Sequence, residues 1–405
     1  MTIEIDRVKG FQDILPPESL KRSKVKEIIE RYFRLYGFLP VETPIIEFDE
    51  TMRSDTLEKE DEAVSDRFRL KDRGGRNLGL RYEFTFQLAR LFKQNPNIKL
   101  PFRRYQIGEV FRDEPIGQGR FRQFTQCDAD IIGDSSIESE AECLTMLTDI
   151  LKELKINAEI QINNRKLLAS IIESVEIKEI NAVMRELDKL EKQGEDMIKS
   201  NMLKYADSNR IITLFKLLQK DLKFYIENAF DGAKEIEELI EECARYGVKV
   251  KFNPFMIRGL GYYTGNIFEV RGSGKNSIAA GGRYDKLVGK YTNKEISAVG
   301  ISFGLDRICE LAQVKTVGIK VLVISLNQDK EMIKTGKLLR KSGISCITTS
   351  EKAGKALEYA NSLQIPYVIF IGDEELQKKK FKLKEMKSGT EKYLAEKQLI
   401  KMLSD

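Results

Sequence analysis

No histidine and no tryptophan occur among the 405 residues of this sequence. The first absence removes a group of chemistries. Ser-His-Asp and Cys-His nucleophiles, H-E-x-x-H zinc sites and imidazole acid–base catalysis all need a side chain that the sequence lacks. Any reaction must therefore run on carboxylates, arginines, lysines, backbone groups or the atoms of a substrate. Cysteine is scarce too: Cys127, Cys143, Cys243, Cys309 and Cys346 are an odd set with no C-x-x-C pair, which argues for buried thiols over a disulfide framework or zinc site. No apolar run approaches the roughly 18 residues of a membrane span. Met1 to Gly10, with Glu4 and Asp6, lacks the apolar core of a signal peptide. The expectation is a cytoplasmic protein with no membrane partner.

Hydrophobic residues make up 41% of the chain, enough for real cores in about two to three domains. The net charge of +5 is uneven. From Lys320 to Asp405 there are 17 Lys and Arg against 11 Asp and Glu, a net of +6, which leaves −1 for everything before it. Two readings stay open for that asymmetry: a polyanionic partner of the last segment, or a lysine-rich solvated surface.

Local signals divide the chain further. A helix is expected from Pro17 to Tyr36, stopped at Gly37, followed by a proline-broken extended stretch, Phe38 to Ile46. Phe102 to Arg112 and Gln123 to Ile132 read as strands joined by a long hairpin loop rich in glycine and charge. Residues 165 to 245 carry apolar side chains at helical spacing and few turn signals, and read as a helical insertion with no chemistry of its own. Strand and loop character returns from Gly259 to Gly282, and Ala298 to Ala312 reads as a strand running into a helix. The end of the chain alternates strand and helix, with strands at Val321 to Ser325, Ile344 to Thr348 and Tyr367 to Ile371, as in a small α/β domain with a mainly parallel sheet.

Several polar groups could carry chemistry. Arg112 ends one strand, Arg120 and Arg122 lie across the hairpin loop, and Arg307 follows an apolar strand; guanidinium forks match phosphate oxygens. Glu114 in the loop could order an arginine or accept an adenine amino group. Glu83 and Thr85 sit in Leu80 to Thr85. Gln126 and Asp130, four apart on a strand, share one face and could bind a cation or a polar side chain. Arg258 to Gly265 offers an arginine, a glycine-rich arm and the phenols Tyr262 and Tyr263. Ala279 to Asp285 is a second glycine-rich element, where backbone can approach a ligand closely. Each piece alone is ambiguous.

Taken together and in this order, the pieces resemble the class II aminoacyl-tRNA synthetases, and within them the histidyl-tRNA synthetase family. Gly37 to Glu47 resembles motif 1, which builds a homodimer interface; Phe111 to Gln126 resembles motif 2; Gly300 to Arg307 resembles motif 3. Arg258 to Gly265 and Ala279 to Asp285 resemble the two histidine signatures, and Lys9 to Asp13 and Ile162 to Arg165 also fit. The resemblance implies an α+β catalytic core, an antiparallel sheet flanked by helices, over 1–165 and 246–314. It implies a helical insertion over 166–245 and an α/β anticodon-binding domain over 318–405. It implies histidine–tRNA ligase activity with ATP and Mg²⁺, tRNA(His) as the partner, and no metal site built from side chains. Arg112, Glu114, Arg120 and Arg307 would bind ATP, and Arg112 would also hold the amino acid carboxylate. Glu83, Thr85, Gln126 and Asp130 would hold L-histidine, with Tyr262 and Tyr263 near its imidazole. Arg258 would contact the α-phosphate and stabilise the transition state. No protein histidine is needed, because the substrate carboxylate is itself the nucleophile.

The other function weighed is a catalytically inactive synthetase paralogue acting as a regulatory subunit in histidine biosynthesis. Such paralogues usually lack the C-terminal domain and the full arginine set, both of which are present here. One departure concerns Gly261, where the signature usually has Asp; it implies slower activation, not loss. Gly261→Asp is expected to raise the rate of histidine-dependent pyrophosphate exchange, and an unchanged rate would remove any role for the departure.

Overall fold

A computed structural model describes residues 5–52, 66–117, 119–259, 261–272, 277–292, 294–316 and 318–404. The chain divides into two compact units, Met1–Val314 and Lys315–Asp405.

The first unit is built on an eight-stranded sheet. Its order is Leu39–Pro40, Phe102–Phe111, Gln123–Ile132, Ala298–Gly304, Ser277–Arg283, Asn266–Arg271, Glu159–Asn164, Lys251–Phe252. The pairings from Phe102–Phe111 through to Glu159–Asn164 are antiparallel, and the two-residue strands at the edges pair in parallel. The short edge at Leu39–Pro40 follows from its proline, which has no N–H to give a ladder. Alternation does the sorting. On Gln123–Ile132, Cys127, Ala129 and Ile131 point into the apolar core, and Gln126, Asp128 and Asp130 point to the other face.

Helices Glu18–Leu35 and Ile137–Glu153 contribute to that core. In the first, Val25, Ile28, Ile29 and Phe33 are buried, the i, i+3, i+4, i+8 stripe of an amphipathic helix. It ends where Gly37 takes φ +78°, and Gly37 N–H and Phe38 N–H bond back to the carbonyls of Arg34 and Phe33, a glycine-closed helix end. A separate antiparallel sheet joins Ile46–Phe48, Asn77–Leu80 and Arg69–Lys71. Between residues 165 and 245 the chain forms seven helices, from Arg165–Ser174 to Ala233–Arg245.

The second unit holds a five-stranded sheet in the order Cys346–Thr349, Val321–Ser325, Tyr367–Ile371, Phe381–Glu385, Glu391–Leu394. Val321 and Val323 join one apolar cluster, and Leu322 and Ile324 join another. The strand is thus covered on both faces and reads as an unbroken apolar run. The expectation of a mainly parallel sheet needs correction. Two pairings are parallel, and the lysine-rich segment adds an antiparallel hairpin. Its strand Phe381–Glu385 alternates Lys382 and Lys384 with a buried Leu383, a half-solvated pattern that hides among the lysines.

Two glycines are fixed by close approach at the centre of the large sheet. A Cβ on Gly300 would lie 1.9 Å from Asp130 Oδ1, and one on Gly281 would lie 2.1 Å from the Gly300 carbonyl and 2.5 Å from the Phe268 ring. Gly281→Ala is expected to cost about 1–3 kcal/mol or more through overpacking, read as a lowered unfolding midpoint; an unchanged midpoint would contradict this packing.

Candidate active site

The face of the sheet opposite the helical core opens into one cleft of about 990 Å³, lined by Glu83, Thr85, Arg112, Glu114, Arg120, Gln126, Asp130, Arg258, Tyr262, Tyr263 and Arg307; Arg122, expected beside them, is not in its lining and pairs with Asp113 at 3.1 Å. The two ends of the cleft carry opposite charge.

One end gathers guanidinium groups. Arg112 stacks on the Tyr82 ring at 4.2 Å and lies 5.1 Å from the Phe124 ring, while its Nε donates to the Tyr82 carbonyl at 3.3 Å. Glu114 lies 4.0 Å from Arg112 and 3.4 Å from Arg120. Arg307 donates to the Ser277 carbonyl at 2.7 Å and to the Gly119 carbonyl at 3.4 Å. Burial, then repulsion from Arg120, Arg112 and Arg258, push its pKa down. Those causes show that the four arginines share one electrostatic neighbourhood. Arg258 is held by Glu269 at 3.2 Å, and its Nε is buried without a hydrogen-bond partner.

These positions are fixed from far along the chain. Asp306, next to Arg307, takes a guanidinium hydrogen bond from Arg22 and accepts the Thr125 N–H at 3.1 Å, which locks the helix Leu305–Leu311 to the strand Gln123–Ile132. Arg122 N–H donates to the Gly10 carbonyl at 2.9 Å, tying the N-terminal Lys9–Gly10 to the hairpin loop. Asn163 Nδ2 donates to the carbonyls of Pro254 and Met256 and so anchors the segment that leads into Arg258.

The other end is a buried acidic floor. Glu83 accepts the Phe86 N–H at 2.5 Å and lies 3.5 Å from the Tyr262 hydroxyl. Thr85 precedes the helix Phe86–Gln94. Gln126 Nε2 donates to Ser302 Oγ at 2.7 Å. Asp130 pairs with Arg104 at 2.7 Å and accepts a hydrogen bond from the Tyr284 hydroxyl. Burial pushes the carboxyls of Glu83 and Asp130 up. Phe86, Tyr263 and Tyr284 surround Tyr262 at ring separations of 5.6, 4.8 and 5.7 Å, so flat aromatic walls stand over the acids.

Several participants were not singled out in the sequence. Asp128 sits between Gln126 and Asp130 on the same face, and burial raises its pKa to about 8; the alternation that selected its two neighbours selects it as well. Arg104 is fully buried beside Asp130 and is directly opposite it in the strand register, a pairing that only the register reveals. Glu269 joins Arg258 to Arg271, which pairs in turn with Glu191 at 2.5 Å. Glu191 belongs to the helical segment, which also supplies Arg185 to Lys192 and Tyr205 to the cleft wall. This segment reads in the sequence as having no chemistry of its own, and the structure adds that it forms one side of the cleft.

Comparison with known proteins decides the family. The histidyl-tRNA synthetase profile matches residues 10–308, and an anticodon binding domain profile matches residues 320–405. The chain belongs to the histidyl-tRNA synthetase family. It is 39% identical to "Histidine--tRNA ligase 1" of Bacillus cereus, over 96% of this chain and 95% of that protein. The crystal structure of histidyl-tRNA synthetase from Nostoc sp. PCC 7120 superimposes with a TM-score of 0.86 at 28% identity, covering 99% of both chains. A Bacillus halodurans C structure described as an ATP phosphoribosyltransferase regulatory subunit/histidyl-tRNA synthetase shares the fold, with a TM-score of 0.76 at 21% identity over 91% of this chain and 99% of that one. The histidyl-tRNA synthetase family thus accounts for the chain from Gly10 onward, including the basic second unit.

Proposed function

We propose that the two ends of the cleft divide the work of a histidine–tRNA ligase, with the arginines on the nucleotide and the acidic floor on the amino acid. The ligase activity itself follows from family membership: ATP activates L-histidine as histidyl-adenylate, which is transferred to tRNA(His), with AMP and pyrophosphate as the other products. The observation that carries the residue assignment is the charge polarity of the cleft. Arg112, Arg120, Arg258 and Arg307 converge on one region, and Glu83, Asp128 and Asp130 line another. A triphosphate and an α-ammonium fit those two ends by charge.

In this reading Arg307 and Arg120 hold the outer phosphates and Glu114 orders the loop around the nucleotide. Arg112, stiffened by Tyr82 and Phe124, spans the α-phosphate and the histidine carboxylate. A carboxylate oxygen attacks the α-phosphorus, a new P–O bond forms, and the bond to pyrophosphate breaks. Arg258, aimed by Glu269, stabilises the charge that develops. Glu83, Thr85, Gln126 and Asp130 hold the amino acid while Tyr262 and Tyr263 flank its ring. A terminal ribose hydroxyl of the tRNA then attacks the aminoacyl carbonyl, AMP leaves, and a phosphate oxygen of the adenylate takes the proton.

Among the described residues no cluster of three acidic or thiol groups could hold a metal. Mg²⁺, which binds through phosphates, water and one or two carboxylates, fits as an ion carried on ATP with Glu114 as the loop carboxylate, and it would neutralise phosphate charge. Among the described residues no helix is long and apolar enough to cross a membrane, and we place the reaction in the cytoplasm. The inactive regulatory paralogue gains no comparable support, since the arginine set and the anticodon binding domain are both present.

The domain assignment proposed with this function is a catalytic core over 1–165 and 246–314, the insertion over 166–245 and the anticodon-binding domain over 318–405. The homodimer is proposed through the motif 1 region, where Leu39, Ile45, Ile46 and Phe48 are all exposed, an apolar edge that a second copy would cover.

Histidine-dependent pyrophosphate exchange tests the reading: Arg258→Ala is expected to lower its rate by about a hundred-fold or more while ATP binding persists. Near wild-type exchange in that variant would reject the role of Arg258, and no exchange by the wild type would reject the function. Phe48→Asp is expected to shift the protein from dimer to monomer in sedimentation velocity; a variant that stays dimeric would place the interface elsewhere.

A further inference from the structure

The acidic floor holds more carboxyl groups than the protein balances. Asp128 is 4% exposed and lies between Gln126 and Asp130 on the cleft face of its strand. Its register partners are Gln106 on one side and Ser302 on the other. Gln106 is occupied by Thr43 at 3.0 Å. Asp128 Oδ1 has no hydrogen-bond partner, nor has Gln126 Oε1, and both residues are buried and line the cleft. Two buried acceptors without donors on one wall call for a ligand that brings N–H groups.

Charge points the same way. The groups that bear on Asp128 are Arg104 from the neighbouring strand, Asp130 on its own strand, the Ser302 hydroxyl from the strand on the other side, which hydrogen-bonds the carboxyl and leaves Oδ1 unmatched, and Glu83 from the segment before Phe86–Gln94. Tyr263 also feels its charge, and the hydroxyls of Tyr262 and Tyr284 stand close by, on Glu83 and Asp130. Arg258 is committed to Glu269. A single guanidinium, Arg104, thus faces three carboxyl groups. Burial with one counter-charge among three acids keeps a proton on the floor, and burial raises the Asp128 carboxyl to about 8.

We propose that Asp128 is an additional binding residue of the amino-acid subsite, whose free oxygen accepts an N–H from the α-ammonium of histidine and which ionises as it does so, so that binding releases its proton to solvent. The inference rests on the assignment of this floor to the amino acid. The ammonium brings the missing positive charge, and the carboxyl can then give up its proton. Below about pH 8 the carboxyl carries a proton that must leave for it to meet the ammonium as a carboxylate, so histidine binds more tightly as pH rises toward 8. An amide at the same position has no proton to lose.

The experiment is calorimetric titration of the full-length protein with L-histidine at pH 7.4, in buffers of different ionisation enthalpy. The wild type is expected to release about one proton more than Asp128→Asn. In pyrophosphate exchange the variant's KM for histidine should rise about ten-fold at pH 8, with a flattened pH dependence between pH 6.5 and 8.5. Its KM for ATP should move far less. Equal proton release by both proteins would assign the proton to Glu83 or Asp130 and overturn the proposal. So would a histidine KM unchanged by the substitution, or the absence of proton release by the wild type, a result that needs no variant. If Asp128→Asn melts well below the wild type, Asp128→Ser is measured in its place, and proton release equal to wild type there overturns the proposal equally. Histidine-dependent exchange by the wild type is scored separately, so failure of the ligase assignment is distinguished from failure of this one.

Discussion

The register of the strand Gln123–Ile132 is the constraint on which the rest of the first unit depends. It pairs along its whole length with Phe102–Phe111 and along Gln126 to Ile132 with Ala298–Gly304. Side chains alternate across a strand, so a slip of one residue would turn Gln126, Asp128 and Asp130 into the apolar core and expose Cys127, Ala129 and Ile131. The register is held from both sides. Arg104 stands opposite Asp130 and pairs with it, and Gly300 leaves just enough room for the Asp130 carboxylate. Asp306 adds a clamp at the other end of the strand by binding Arg22 and the Thr125 N–H.

From that register follows the polarity of the cleft. The hairpin that leaves Phe111 and returns at Gln123 carries Arg112, Glu114 and Arg120 to one end, and the helix that follows Gly304 brings Arg307 toward them. The strand interior leaves its acids at the other end. A reaction that joins a carboxylate to a phosphate needs both an anion-gripping region and a cation-gripping region within one small space, and the sheet supplies them on a single rigid face. Little is left for an imidazole to do, which fits a chain with no histidine.

Much of this was legible in the sequence because it rests on local rules. The helix Glu18–Leu35 announces itself by its apolar stripe and its closing Gly37. The strands around the motif 2 hairpin fall within a residue of expectation, and Arg112, Glu114, Arg120, Gln126 and Asp130 line one cleft, while Arg122 turns to Asp113. What stayed hidden depends on partners far apart in the chain. Arg104 reads as an ordinary polar residue until register sets it against Asp130. Glu269 gains meaning only beside Arg258 and Arg271. The lysine-rich hairpin at Phe381–Leu394 was obscured because its strand has one solvated face. The contribution of residues 185–192 to the cleft was invisible to helical periodicity, which reports what a helix buries and not which neighbour it overlooks.

That wall has a consequence of its own. The floor of the cleft is woven into the sheet, where Gly281, Gly300 and Asp130 leave no slack, whereas residues 185–192 of the helical segment face the cleft from the side and reach it through side chains such as Glu191 on Arg271. Floor and wall share one apolar core but are built from different stretches of the chain. Substitutions on this flank can reshape the mouth of the cleft, and what passes through it, while the sheet beneath stays in place, with Glu191 as the exception, because it reaches Arg258 through Arg271 and Glu269.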